Sequence, residues 1–383
     1  MSRFQLAIAF LVLFEARTNA QARNEQEQVT RRILAAWTET NKSVRTIKCQ
    51  ATVESFFPRG SMTIEHNRGK KPAEQLREEI PPDDVRSVDG TMLWALDLST
   101  PRIRKQLKAL TRQFYHDKPP QLLREHSIHI FADNKYRLFH PRSDNWTAAD
   151  REDARAHQDA IFYEDRAYEF LLDFLDLPLF WASGSVSGKL LLPSRMKLLD
   201  AENQWTYVGQ AELRGEKCHV LTVPNQDDKS SVLEFWVGEG GGYPIRLCKA
   251  KRGEGKDWQI DADYRDSNGT SALASWSYSG YDLSWPQRLT HSITFRVTEL
   301  SINQAIPDEL FDHRPKVGMV VLEAKELAIA KVAPDGSLVP WTPGSESRRR
   351  WLLVAAGSAI VLAIAIGIVL TRRRAAKRKL TMK

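Results

Sequence analysis

The chain has 383 residues, with 55 Lys and Arg against 48 Asp and Glu and a formal net charge of +7. The excess is confined to the ends: residues 1–22 carry +1 and residues 348–383 carry +10, which leaves −4 on residues 23–347. A mildly acidic body argues against nucleic-acid binding, which needs basic residues concentrated on the folded part, and three cysteines, Cys49, Cys218 and Cys248, are too few for a disulfide scaffold.

Leu6 to Phe14, following Arg3, has the length and charged lead-in of a signal-peptide core, and Ala20-Gln21-Ala22 supplies small residues for cleavage. The expected mature chain therefore starts near Arg23, with residues 1–22 removed. Asn24 to Val44 reads as a helix, because Val29, Ile33, Leu34 and Trp37 recur at helical spacing. The period then drops to two. Thr46 to Phe56 alternates as a half-buried strand with Ile47, Cys49, Ala51 and Val53 on one face. Pro58-Arg59-Gly60 is expected to turn it into a hairpin whose second arm is Ser61 to His66.

Residues 67–127 are less regular and read as an insertion. Lys70 to Asp84 mixes charge with proline, as loops do. Asp89-Gly90 marks a turn into the strand Thr91–Leu96. Thr100-Pro101 looks like the cap and first residue of a helix striped by Ile103, Leu107, Leu110 and Phe114. Asp133-Asn134 precedes a strand at Tyr136–Phe139. Ala167 to Leu177 reads as an apolar helix stopped by Pro178, with Leu179, Phe180 and Trp181 beyond it. From Trp205 onward the pattern is all strand: Cys218–Val223, Val232–Val237, Ile245–Ala250, Trp258–Tyr264, Ser275–Leu283 and Thr290–Leu300. Asn268-Gly269 is the strongest hairpin signal in the chain.

The segment 332–350, rich in Pro, Gly and Ser, is read as a linker. Trp351 to Leu370 is 20 residues without a charge, enough to cross a hydrocarbon core about 30 Å thick. Residues 371–383 hold seven basic side chains, so the tail is expected in the cytoplasm and the body, 23–331, outside it. Within the span, Ala355, Ala359, Ala363 and Gly367 recur every four residues. Small residues on one face let helix backbones approach closely, so weak homodimerisation through the anchor is expected.

No residue cluster announces a chemistry. Gly238-Glu239-Gly240-Gly241-Gly242 lies between strands and reads as a hairpin turn, not a phosphate cradle, which needs a helix behind it. His126 and His129, near Glu125 and His116, are spaced for neither a helical nor a strand metal pair, and no metal or cofactor is expected. Cys218 and Cys248 fall on the first and third strands of a meander, too far apart for a disulfide, and read as packed thiols. No nucleophile–base set is visible, so a catalytic role is not expected. The notable surplus is apolar: among 11 Trp and 15 Phe, the run Phe170, Leu171, Phe174, Leu175 and Leu177 is denser than one helix face needs. It is either a helix packed on a sheet or one covering an apolar cavity, and these five residues are the candidate ligand-binding set.

Leu300-Ser301-Ile302-Asn303-Gln304-Ala305-Ile306-Pro307-Asp308-Glu309-Leu310-Phe311, with Pro315 and Gly318 after it, resembles the ending of LolA-like and RseB-like periplasmic domains. The Val232-to-Cys248 hairpin is similar too, and in outline the resemblance covers residues 24–323. It implies an α+β fold: a strongly curved antiparallel sheet, a half-barrel covered by helices, with an apolar concavity for acyl chains or lipoproteins. A carrier must travel between membranes, whereas this body is expected to be fixed to one by a transmembrane helix. The expectation is therefore an anchored extracytoplasmic, periplasmic module binding lipid, lipoprotein or another hydrophobic ligand, as carrier-like partner or envelope sensor. A structural or protein-interaction ectodomain with a filled core is the alternative, and an envelope hydrolase ranks last.

Overall fold

In the computed structural model, residues 24–66, 76–100, 102–113, 121–132, 135–139, 160–164, 174–182, 205–224, 230–253, 255–267, 270–282, 287–323 and 328–340 are described. They form two compact units, divided between Arg314 and Pro315. The expected signal peptide, the Trp351–Leu370 span with its small-residue stripe, and the basic tail lie outside the described residues.

The first unit begins with helix α1, residues 24–43, close to the predicted span. Its strands are β1 (Thr46–Phe57), β2 (Met62–His66), β3 (Leu76–Ile80), β4 (Val85–Asp97), β5 (Arg102–Gln113), β6 (Gln121–Ala132), β7 (Lys135–Phe139) and β8 (Ala160–Glu164). A single 3-10 turn, Phe174–Asp176, leads into helix α2 (Leu177–Ala182). Then follow β9 (Thr206–Leu213), β10 (Glu216–Pro224), β11 (Ser231–Gly238), β12 (Ile245–Arg252), β13 (Gly255–Ser267), β14 (Thr270–Tyr281) and β15 (Leu289–Ile302). All but β2 and β3 join one antiparallel sheet in the order β8-β7-β6-β5-β4-β1-β15-β14-β13-β12-β11-β10-β9. In the second unit β16 (Val320–Glu323), β17 (Ala328–Val332) and β18 (Leu338–Pro340) pair as successive hairpins, so strand extends into the segment read as a linker.

Four local expectations are corrected. The residues after the Pro58 turn do not return along β1. β2 pairs instead with β3, inside the segment read as a loop, while β1 is flanked by β4 and β15. Asp89-Gly90 is no turn but the middle of β4. Gly90 is opposite Val53, and a Cβ there would lie 2.7 Å from the Val53 carbonyl oxygen and 2.8 Å from that of Lys108, so only glycine lets the neighbouring backbones come this close.

The predicted helix after Pro101 is strand β5. Its turn is closed by the Asp97 carboxylate, which accepts hydrogen bonds from the Ser99 and Thr100 amides at 2.9 and 3.3 Å and from the Thr100 hydroxyl at 2.9 Å. That bonding reverses the chain, so Thr100 donates to a turn where the sequence suggests a helix cap. The buried residues of β5, Ile103, Lys105, Leu107 and Ala109, follow period two. Pro178, finally, lies in the first turn of α2, where a missing amide hydrogen costs nothing, and so it opens a helix instead of ending one.

Strong curvature follows from which strands α2 touches. The ring of Phe180 meets Trp94 of β4 edge-on at 5.2 Å, and the next residue, Trp181, meets Phe235 of β11 at 6.4 Å. In a flat sheet six strand spacings would separate β4 from β11 by about 29 Å. A six-residue helix is only about 9 Å long. Both contacts are made because the sheet curls around α2. α1 closes the same side: Ile33 and Trp37 are buried in the core that holds the α2 residues, and the Trp37 indole donates to the Tyr243 carbonyl at 2.7 Å.

The chain after β15 is strapped down at defined points. Asn303, in the left-handed region at φ 59°, accepts from the Arg45 amide at 2.6 Å and donates to the Ser43 carbonyl at 2.9 Å. Further on, Arg102 pairs with Asp97 and Asp308, both at 2.7 Å, and lies over the Phe311 ring at 4.5 Å. Burial opposes ionisation of Asp97, but the bonds from Arg102, Thr100 and Ser99 hold its carboxyl below the usual range. The asparagine, aspartate and phenylalanine of the 300–311 stretch thus serve to dock the segment.

Candidate functional site

Helices α1 and α2 both pack on the concave face of the large sheet, and its wall can be read across the strands. Lys105 pairs with Trp94 on one side and His129 on the other, and Trp94 pairs with Cys49. One step along, Leu107 lies between Met92 and Ser127, and Met92 is opposite Ala51. Farther round, Phe295 stacks on Trp276 with ring centres 4.6 Å apart. Lys105, His129, Ser127 and, on β1, the buried Ser55 interrupt an otherwise largely apolar stretch of wall.

Among the described residues, a hydrogen bond and an ion pair hold the α2 segment against this wall. Trp276 donates its indole N–H to the Leu175 carbonyl at 2.9 Å. Lys105 Nζ meets Asp176 Oδ2 at 2.9 Å, with the lysine side chain 7% exposed and the aspartate 0%. Beside this pair, His129 Nδ1 and the Tyr136 hydroxyl share a hydrogen bond of 2.6 Å. Packing adds to this grip: Leu179, Phe180 and Trp181 are all buried.

Of the predicted set, Leu175 and Leu177 are buried in the core at this point, and Phe174 opens the 3-10 turn. Phe170 and Leu171 lie outside the described residues. Lys105, Asp176, Trp94, Trp276 and the His129–Tyr136 pair were not in that set. A lysine in register with inward-facing Ile103, Leu107 and Ala109 is the signal that could have found the first of them, once the segment is read with period two.

The histidines do not gather: His126 bonds Gln106 at 3.3 Å while His129 turns to Tyr136. Among the described residues no group of three or more His, Cys, Asp or Glu is placed to share a metal ion. The cysteines are free and buried, with Cys218 on β10 and Cys248 on β12 as the meander reading expects. Burial, with some help from Glu299, pushes the Cys49 thiol up to about 12, far from reactivity at neutral pH.

A strongly ionised carboxyl, that of Glu234, lies outside this wall. Glu234 alternates with the inward-facing Phe235, is 8% exposed, and receives Trp236 Nε1 at 2.7 Å, Lys249 at 2.9 Å and Lys251 at 3.0 Å. Its burial opposes ionisation, but these partners outweigh it and bring the carboxyl from 4.5 down to about 2. A depressed folded value means stability that is present above pH 4.5 and lost as pH falls toward 2. Glu234→Gln is expected to remove about 2 kcal/mol at pH 7 and much less at pH 2.5. Denaturation midpoints of both chains at the two pH values check this.

No family model and no curated protein matches the sequence. Among solved structures, the chain is similar to a DUF1329 family protein from Desulfovibrio piger, at 11% identity and a TM-score of 0.34 over 75% of this chain and 98% of that one. It is similar to a LolA superfamily protein from Nitrosomonas europaea, at 7% identity and 0.34 over 74% and 97%. A third is lipoprotein LppX from Mycobacterium tuberculosis, at 8% identity and 0.26 over 72% and 97%. The group that the 300–311 stretch resembles is thus among the structural neighbours.

Proposed function

We propose that the chain is an anchored extracytoplasmic module that binds a lipid, the acyl part of a lipoprotein or another hydrophobic ligand on the concave face of its curved sheet. It acts there as a lipid-handling partner or an envelope sensor, by binding and without catalysis. One observation carries the reading: the concave wall is covered by a six-residue helix that is too short to be stable alone. Removed from the wall, α2 and its leading turn would uncover Trp94 and Trp276. An acyl chain could cover the same surface, gaining about 0.8 kcal/mol for each buried CH₂.

Anchoring rests on the 20 uncharged residues of Trp351–Leu370 and the basic tail after them. Among the described residues no helix is long and apolar enough to cross a membrane. The Ala355, Ala359, Ala363 and Gly367 stripe supports weak pairing of anchors in the bilayer. A second reading, a protein-interaction ectodomain with a filled core, draws on the burial of Leu179 at 0% and Phe180 at 2%. Native mass spectrometry of the full chain, released from detergent under gentle activation, separates the two. The binding module is expected to carry one added mass of lipid size that is lost at higher activation. A bare chain mass under all conditions favours the filled core.

A further inference from the structure

The other helix over the concave face, α1, meets the sheet beside a histidine that water barely reaches. His219 of β10 is 7% exposed. From β9, the Tyr207 hydroxyl shares a hydrogen bond with its Nδ1 at 3.1 Å. From the turn between β11 and β12, Glu239 Oε1 lies 3.7 Å from its Nε2 and accepts from the Gln210 side chain of β9 at 3.0 Å. The Tyr243 ring of the same turn is centred 6.1 Å from the imidazole. Tyr243, in the left-handed region at φ 58°, also offers its carbonyl to the Trp37 indole of α1 at 2.7 Å. From α1 itself, the exposed Arg32 acts on the histidine as a like charge. One titratable ring thus stands where α1, β9 and the β11–β12 turn come together.

Burial lowers the proton affinity of His219; Glu239 opposes this without prevailing, and Arg32 reinforces it. Burial also raises the Tyr207 hydroxyl, which therefore keeps its proton across the range in which histidine titrates. Helices at the edge of a core open locally. An opened α1 takes Arg32 away from the ring and lets water in, so the ring accepts a proton more readily under an open helix than under a seated one. Linkage then fixes the sign: the seated helix has its full stability above the ordinary histidine range and loses it as pH falls through that range. We propose that His219 is an acid-sensitive latch for α1, neutral while the helix is seated and loosening it from the β11–β12 turn when protonated. The latch stands whether or not the concave face holds a ligand.

Hydrogen exchange of the full chain in detergent at about pH 7.5 and about pH 5.5, corrected for the intrinsic pH dependence of amide exchange, reads the opening of α1 against that of β1. In the wild type, α1 opening is expected to rise about threefold or more on acidification, while β1 holds within about twofold. His219→Gln, which takes up no proton, should remove the rise. Two surface changes should move the response in opposite directions, and they decide the matter if His219→Gln fails to fold. Arg32→Gln removes the like charge and should weaken the acid response; Glu239→Gln removes the anion beside Nε2 and should strengthen it. A wild-type α1 indifferent to pH, an equal rise in α1 and β1, or a rise kept in full by His219→Gln overturns the latch. So do surface variants that shift the response in the same direction or not at all.

Discussion

Lys105→Met is expected to destabilise the first unit by about 3–5 kcal/mol, the usual cost of breaking a buried ion pair from one side. Asp176 has no exposed surface, and its Oδ2 is 2.9 Å from the lysine. Replacing the ammonium takes that contact away from a fully buried carboxylate in the turn that leads into α2. The companion change separates the two meanings of an ion pair. Lys105→Met combined with Asp176→Leu removes both charges and fills the space with apolar atoms, which in buried pairs is often neutral or stabilising. The double variant should therefore recover most of the stability lost by the single one. Urea denaturation of wild type, single and double variants gives the comparison. A single variant within about 1 kcal/mol of wild type, the worth of an exposed pair, would mean that the pair is not an anchor of α2.

Phe180→Ala should cost about 3–5 kcal/mol, the usual penalty for emptying a buried aromatic site. Phe180 is 2% exposed, and its edge-on contact with Trp94 ties α2 to β4 while Trp181 beside it reaches β11. Truncation leaves a cavity between the helix and strands that are distant in the sheet, and a six-residue helix has little else to hold it. Val208→Ala is the control: Val208 is 58% exposed, and its truncation should change stability by less than about 0.5 kcal/mol. Denaturation midpoints for the two variants check the contrast. Equal small losses would place Phe180 at the surface and remove the main support for a sheet curled around α2.

Much of the second half of the sheet was legible because its signals are local. The short apolar runs Cys218–Val223 and Val232–Val237, and the flanking of Asn268-Gly269 by paired Ser267 and Thr270, match β10, β11 and the β13–β14 hairpin. The first half was harder. Ile103, Leu107 and Leu110 fit a helical stripe, and only the inward Lys105 between Ile103 and Leu107 betrays period two; a lysine there reads as polar unless its buried partner Asp176 is known. Gly90 looked like punctuation because a lone Asp-Gly signals a turn, whereas the close approach of the Val53 and Lys108 backbones depends on pairing across β1, β4 and β5. Pro178 is ambiguous in the sequence because proline does the same local chemistry at the first turn of a helix as just past its end.

The candidate site was half visible. The density of large apolar residues around positions 170–181 marks the segment that covers the wall, and Leu175 and Leu177 are buried there. The wall itself was not visible, since Trp94, Lys105, His129 and Trp276 come from strands spread over nearly two hundred positions of sequence and meet only through the curvature of the sheet.

Photolabelling tests the central claim most directly. Cells producing the full chain would be supplied with a diazirine-bearing fatty acid and irradiated, and the labelled peptides of the purified protein mapped by mass spectrometry. Label is expected at concave-face positions such as Met92, Leu107 and Phe295, in addition to any in Trp351–Leu370, and it should fall when Trp94→Asp puts a charge into the wall. Label confined to Trp351–Leu370, or spread equally over the Ile128 and Ile130 side of β6, would contradict a hydrophobic ligand held inside the curve of the sheet.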